Sequence, residues 1–182
     1  MFYVTALALI IGVAVGLARG GLPRNVGRHR LRAWWLVLIG IAAQVMADHV
    51  ATSSLGTVAV LAGATSLLAF AALNPHLVGI GVVAIGVAAN ALVIGINDGM
   101  PVRASAVVAA HITSGADEPL LAYGFRHHRE GPGDQLRPLA DIIPIPAFRQ
   151  VVSFGDLILA IGVAATVAHL LLRGPKRAVR NR

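Results

Sequence analysis

Ser153-Phe-Gly-Asp156-Leu-Ile-Leu-Ala-Ile-Gly-Val-Ala-Ala-Thr-Val-Ala-His169-Leu-Leu-Leu172 decides how this chain is read. From Phe154 onward the run is long enough to cross a bilayer core, which takes about 20 apolar residues. Its ionisable groups stand near its ends, Asp156 at the start and His169 at the finish. An acid at the mouth of a membrane helix is costly unless it caps, pairs or reacts.

Working outward, four more apolar runs qualify as spans: 2–18, 34–50, 55–73 and 77–96, with the last at 154–172. The composition agrees. Charged residues make up 13% of 182, about half the soluble average of roughly 25%, and mean hydropathy is +0.76. The expected fold is an all-α polytopic membrane helix bundle of about five transmembrane helices, one integral membrane domain over 1–182 with a loop over 97–153. The first run is read as a retained helix rather than a signal peptide, because Arg19 and Arg24 follow it and no basic region precedes it. The absence of cysteine excludes disulfides, thiolate metal sites and cysteine nucleophiles.

The positions of the charges give the orientation. Arg19, Arg24, Arg28, Arg30 and Arg32 fill the loop after the first span with no acid among them. Arg173, Lys176, Arg177, Arg180 and Arg182 do the same in the tail, whereas the segment 97–153 carries five Arg and six acids. The positive-inside rule places the first two segments in the cytoplasm. The N-terminus is then outside and the C-terminus inside, which requires an odd number of spans. The expected partner of this surface is the lipid bilayer of the cell membrane, beyond which a second membrane protein or a second copy of the chain is open. Because the basic residues flank spans, no nucleic acid is expected despite a net charge of +7.

Turn chemistry punctuates the runs. Asn74-Pro75-His76 reads as a tight turn that sets the third and fourth spans antiparallel. Asn97-Asp98-Gly99-Met100-Pro101 reads as the end of the fourth helix. Gly12, Gly16 and Gly20, with Gly79, Gly81, Gly86 and Gly95, permit close approach of helices, and packing within the chain is preferred to a dimer face. In 97–153, residues 101–112 read as a short interfacial helix, 115–137 as a mobile polar loop, and 138–146 as an apolar piece that re-enters or lies against the bundle.

Candidate site residues follow from polarity inside or beside the spans. Gln44 and Asp48 share a helix face, as do Asn90 and Asn97. By the arginine topology Asp48, Asn97, Asp98, Asp141 and Asp156 gather at the outer surface. Asp156 has two readings. Ser153-x-x-Asp156 matches a capping box; alternatively Asp156 faces inward and shares a proton with Asp141, one acting as base toward water and the other as acid. Asp141 alone reads as a loop acid bonded to backbone amides. Asn90, Asn97, Asp98, Asp48 and Gln44 are the candidate substrate-binding groups. His127 and His128 read as solvated loop residues. Nothing has the spacing of a metal motif, so neither metal nor cofactor is expected.

Four stretches, Leu73-Asn-Pro-His76, Asn90-Ala-Leu-Val-Ile-Gly-Ile-Asn-Asp-Gly-Met-Pro-Val102, Leu139-Ala-Asp-Ile-Ile-Pro-Ile-Pro146 and Val152-Ser-Phe-Gly-Asp-Leu-Ile-Leu-Ala-Ile-Gly162, resemble a family of small bacterial membrane proteins whose shared domain has no established function. The resemblance implies an integral membrane protein, and the Ala-, Val- and Arg-rich composition looks like that of an actinobacterium. A more remote likeness is to lipoprotein signal peptidase, which places one aspartate before and one at the start of its last membrane helix at the outer face. Asp141 and Asp156 are similar in order, separation and side. Phe154 and Gly155 depart from that family's pattern, and it has four spans.

Three functions compete: a non-enzymatic accessory or binding membrane protein with a polar site at the outer face, an aspartyl hydrolase using Asp141 and Asp156, and a small carrier or channel subunit using Gln44, Asp48 and Asn90. A cavity shared by the two acids separates the second from a chain in which they lie apart. A polar cavity passing Asn90 toward mid-membrane is what the third requires.

Overall fold

The computed structural model describes residues 2–47, 53–113 and 127–172. It is mostly helical: α1 (Phe2–Ala18), α2 (Trp35–Ala47), α3 (Ser53–Leu73), α4 (Ile80–Asn97), α5 (Ala104–Ala109) and α6 (Phe154–Leu171). Three helices are long and apolar enough to cross a membrane, within α3 (Leu55–Leu73), α4 and α6, with mean hydropathies of 1.9, 2.1 and 1.9. α1 and α2 are apolar but shorter. The fourth run begins later than its hydropathy suggests. Gly79 has a φ of +91°, which stops α4 from extending back to Leu77. Positions 48–50 of the second run, with Asp48 and His49, and the basic tail from Arg173 lie outside the described residues.

The all-α expectation needs one amendment. Short strands sit between α4 and α6: β1 (Met100–Val102), β2 (His127–Arg129), β3 (Ile143–Ile145) and β4 (Gln150–Val152). β1 pairs with β2 in parallel, and β3 with β4 antiparallel. With α5 they form a cap over one end of the helices. Leu139 packs against Ala47, Val60, Val93, Ile94 and Met100, so the apolar piece around it does lie against the helices.

Small residues set the helix order. Along α1, Val4, Ala8, Gly12 and Gly16 recur every four residues and are buried. A Cβ on Gly12 would come within 2.7 Å of the Ala164 carbonyl, and one on Gly16 within 2.7 Å of Leu171. This stripe therefore packs on α6 within the chain. α6 in turn packs on α4, α4 on α3, and α3 on α2, the last through Gly40 and Gly63. The helices thus form an open series, α1–α6–α4–α3–α2. Its two ends, α1 and α2, share no interface of comparable extent.

The end opposite the cap is tied down by two asparagines. Asn25 is buried in the loop after α1 and donates from Nδ2 to the Leu171 carbonyl at 2.9 Å. Leu22 N–H reaches the same carbonyl at 2.8 Å. Terminal carbonyls of a helix lack partners within it, and these donors supply them. Asn74, fully buried, donates to the carbonyls of Arg32 and Phe70 and accepts from Arg32 N–H at 2.8 Å. The Asn-Pro-His turn is therefore a clamp on the arginine-bearing loop as well as a reversal.

The closest crossing is α4 with α6. A Cβ on Gly86 would lie 2.6 Å from Leu159 N and 2.7 Å from Gly155 O, both backbone atoms that cannot step aside. Gly86→Ala should therefore destabilise the chain by about 1–3 kcal/mol, the usual cost of overpacking. Gly81→Ala, where nothing lies within 4 Å, should change stability by less than about 0.5 kcal/mol. Thermal unfolding of the detergent-solubilised variants compares the two.

Candidate functional site

The first turn of α6 builds the site. Ser153, in an extended conformation, is the N-cap, and its Oγ accepts from Asp156 N–H at 3.0 Å. Asp156 Oδ2 accepts from Ser153 N–H at 3.1 Å, which completes a capping box. The capping pattern in the sequence is thus realised, yet it uses only one carboxylate oxygen. The other, Oδ1, accepts from Asn90 Nδ2 of α4 at 2.6 Å. Ser153 Oγ donates to Asn90 Oδ1 at 2.9 Å and closes the ring. Gly155 makes the ring possible, because a Cβ there would collide with the Asn90 side chain.

The cap brings the second acid to the same place. Pro101 has no N–H, which suits a strand whose neighbours use its carbonyl. Asp141 N–H donates to Pro101 O at 3.0 Å, and Arg103 N–H donates to Asp141 O at 2.9 Å. On its other side β1 pairs Met100 with His127. Asp141 and His127 therefore flank one strand, and Asp141 Oδ2 lies 3.6 Å from His127 Nε2. The backbone of Asp141 thus takes part in both of these bonds, and its carboxylate lies beside His127. Both acids are buried, Asp141 at 5% and Asp156 at 3% exposure.

Asp141, Asp156, His127, Asn90 and Gln44 line one cavity of about 430 Å³. Its other walls are almost wholly apolar and come from α2, α3, α4 and α6, with Met100 from β1 and Thr5 from α1. It continues past Asn90 to Val87 and to Leu67 of α3. Ile41 and Val45 of α2 line it and are nevertheless 53% and 54% exposed.

Two other candidates stand apart. Asn97 donates to Val93 O and exchanges hydrogen bonds with the backbone of Gln135, 3.0 and 2.8 Å, which holds the cap to α4. Asp98 is exposed at the C-terminus of α4 with a φ of +51°, followed by Gly99 at +147°, the turn its sequence indicates. Asp48 lies outside the described residues.

The loop reading of 115–137 changes where residues are described. Residues 127–129 form β2, and both histidines are half-buried and paired, His128 with Asp134 at 2.9 Å. The pairing of β1 with β2 links residues far apart along the chain, and no periodic signal in either segment announces it. Beside it, Glu130 accepts from Arg103 at 2.9 Å and Arg137 at 2.6 Å. The Arg103 hydrogen bond, opposed by burial and assisted by Arg137, holds the Glu130 carboxyl below its ordinary 4.5. Among the described residues no three His, Cys, Asp or Glu gather as a metal-binding group.

The chain belongs to a family of unknown function (DUF5317), whose model matches residues 28–168. The match takes in Asn90, His127, Asp141 and Asp156 but not α1. No curated protein matches the chain, and no solved structure matches it.

Asn90→Ala removes the Asp156–Asn90–Ser153 ring and strands two buried polar atoms. It should cost about 2–4 kcal/mol, more than Asn97→Ala at about 1 kcal/mol, in thermal unfolding of the same preparations. Glu130 has a depressed folded value, so its contribution is present above the ordinary 4.5 and is lost as pH falls through the folded value. Glu130→Gln should therefore lower the Tm at pH 7, with the gap to the parent closing below about pH 4.5.

Proposed function

We propose that this member of the family is a five-span protein of the bacterial plasma membrane, N-terminus outside and C-terminus cytoplasmic, that binds a membrane amphiphile at its outer face. α1 and α2 would complete the five spans, since the arginine-rich loop and tail then share one side. The cap would stand outside. The tail of the ligand lies among Ile41, Val60, Leu67, Val87 and Leu159, and its head meets Asp141, Asp156 and His127, with Asn90 and Gln44 on the same wall. Asn97 acts indirectly by holding the cap, and Asp98 by ending α4.

The observation that carries this reading is that two buried acids from separate segments line one largely apolar cavity. The volume lies within the range of about 300–1,000 Å³ usual for small-ligand sites. Exposed lining residues on α2, Ile41 and Val45, give the ligand a route to the surrounding lipid along the flank between α1 and α2, the two ends of the helix series.

A second reading has support from the same acids. With one proton between them, one carboxylate takes a proton from water, the water oxygen attacks a carbonyl or ester carbon, and the other carboxyl protonates the leaving group. This is the chemistry that the likeness to lipoprotein signal peptidase implies.

Native mass spectrometry of the chain extracted from its own membranes tests the first reading. A co-purifying amphiphile is expected, and Ala64→Phe, which fills the cavity, should reduce its occupancy about tenfold, equivalent to about 1.4 kcal/mol. An unliganded parent chain would count against the proposal. Incubation of the parent with lipoprotein and lipid esters separates the second reading. Cleavage lost in both Asp141→Asn and Asp156→Asn supports hydrolysis, and intact substrate removes it.

A further inference from the structure

We propose that a groove at the end of the helices opposite the cap is a seat for an anionic phospholipid. It is a second cavity, of about 350 Å³, between α1, α6 and the turn before α4. Arg19 and His169 supply its polar side chains, and Val15, Val78, Ala164 and Ala165 are among its apolar walls. Arg19 N–H bonds to Val15 O at 3.1 Å, which continues the helical path of α1 and keeps Arg19 on the face of Val15. The inference shares with the amphiphile reading only the placement of α1 and α6 in a membrane, and it uses none of the residues of the central cavity.

Both polar groups have donors to spare. Arg19 is exposed, and no described residue takes a hydrogen bond or an ion pair from its guanidinium. His169 is half-buried, its ring meets the edge of the His29 ring at a centroid distance of 5.2 Å, and neither of its nitrogens bonds to a described residue. His29 itself has Nε2 on the Leu172 carbonyl at 3.3 Å. The segments that reach this end fall within 1–47, 49–97 and 157–182, and the sequence has no Asp or Glu in any of them. Arg24, Arg28, Arg30 and Arg32 follow Arg19 in the same loop, and such a one-sign field draws anions. A phosphodiester accepts two parallel hydrogen bonds from a guanidinium and a third from an imidazole N–H. Its acyl chain then lies along Val15 and Val78, both exposed. A soluble anion would leave those walls uncovered. A zwitterionic lipid would bring a cation to the arginine loop, and a second copy of the chain would bring the same arginines. A lipid with a net negative head suits both halves of the groove, as acidic lipids suit basic pockets between membrane helices.

The test reconstitutes the full chain in nanodiscs of equal parts phosphatidylglycerol and phosphatidylcholine, releases it into detergent and reads the retained lipid by native mass spectrometry. Phosphatidylglycerol is expected in about tenfold excess over phosphatidylcholine. Arg19→Gln should remove most of that preference. Arg24→Gln takes the same charge from the same loop but not from the groove, and should change the preference less than about twofold. Val15→Trp, which narrows the groove without altering charge, should lower phosphatidylglycerol retention, and Ala64→Phe in the central cavity should leave it unchanged. The selectivity of the parent and the effect of Val15→Trp decide the matter should Arg19→Gln fail to fold. Equal retention of the two lipids by the parent, equal losses in Arg19→Gln and Arg24→Gln, or unchanged retention in Val15→Trp overturns the seat. Loss in Ala64→Phe with none in Arg19→Gln places the lipid in the central cavity, which overturns this proposal and leaves the amphiphile reading standing.

Discussion

The hydrogen-bonded ring of Asp156, Asn90 and Ser153 is the constraint from which the rest of the structure follows. It lies buried at the start of an apolar helix, where a polar group left without a partner is costly. Each member therefore has to find its partner inside the protein, and the partners stand on two different helices. That requirement brings α4 against α6, and the two helices can meet only because Gly86 and Gly155 carry no side chain at the crossing. The same ring leaves one face of Asp156 on the central cavity. A capping acid has thereby been built into a wall.

The cap depends on that crossing. β1 leaves α4 directly and is covered on both edges, by β2 on one side and by the backbone of Asp141 on the other. A strand edge so placed has no unpaired groups to offer another chain, and the two groups that cover it carry His127 and Asp141 to the wall of the cavity. The guanidinium pair on Glu130 and the exchange between Asn97 and Gln135 fasten this roof from outside. The small-residue stripe of α1 fixes α1 to α6 and leaves the α1–α2 flank less closely packed. In the proposed function these two arrangements have distinct uses: the roof sets the chemistry of the head and the flank sets the route from the bilayer.

Much of this was legible in the amino-acid sequence because it is local. Apolar length marked α1, α3 and α6 to within two residues at each end. Ser153 and Asp156 stand three apart and announced their cap, and Asn-Asp-Gly announced the left-handed end of α4. What escaped is non-local. His127 reaches Asp141 through a parallel pairing of three-residue strands, too short to show an alternation and too distant to show a turn. Asn25 and Asn74 read as loop and turn residues, while their side chains brace helix ends and backbone across more than forty positions. Asn90 was visible as an intramembrane polar group, but its pairing with Asp156 rather than with Asn97 follows from the helix crossing, which hydropathy does not encode.

The central claim is that the space between Asp156 and the α2 edge is a ligand site rather than a packing defect. An experimental structure determined in lipid, without delipidating steps, tests it most directly. The account predicts elongated density running from Asp141 and Asp156 past Val87 toward Ile41 and Val45, with a compact head at the acids. A dry interior in which α2 has closed onto α4 and the cavity has vanished would contradict it.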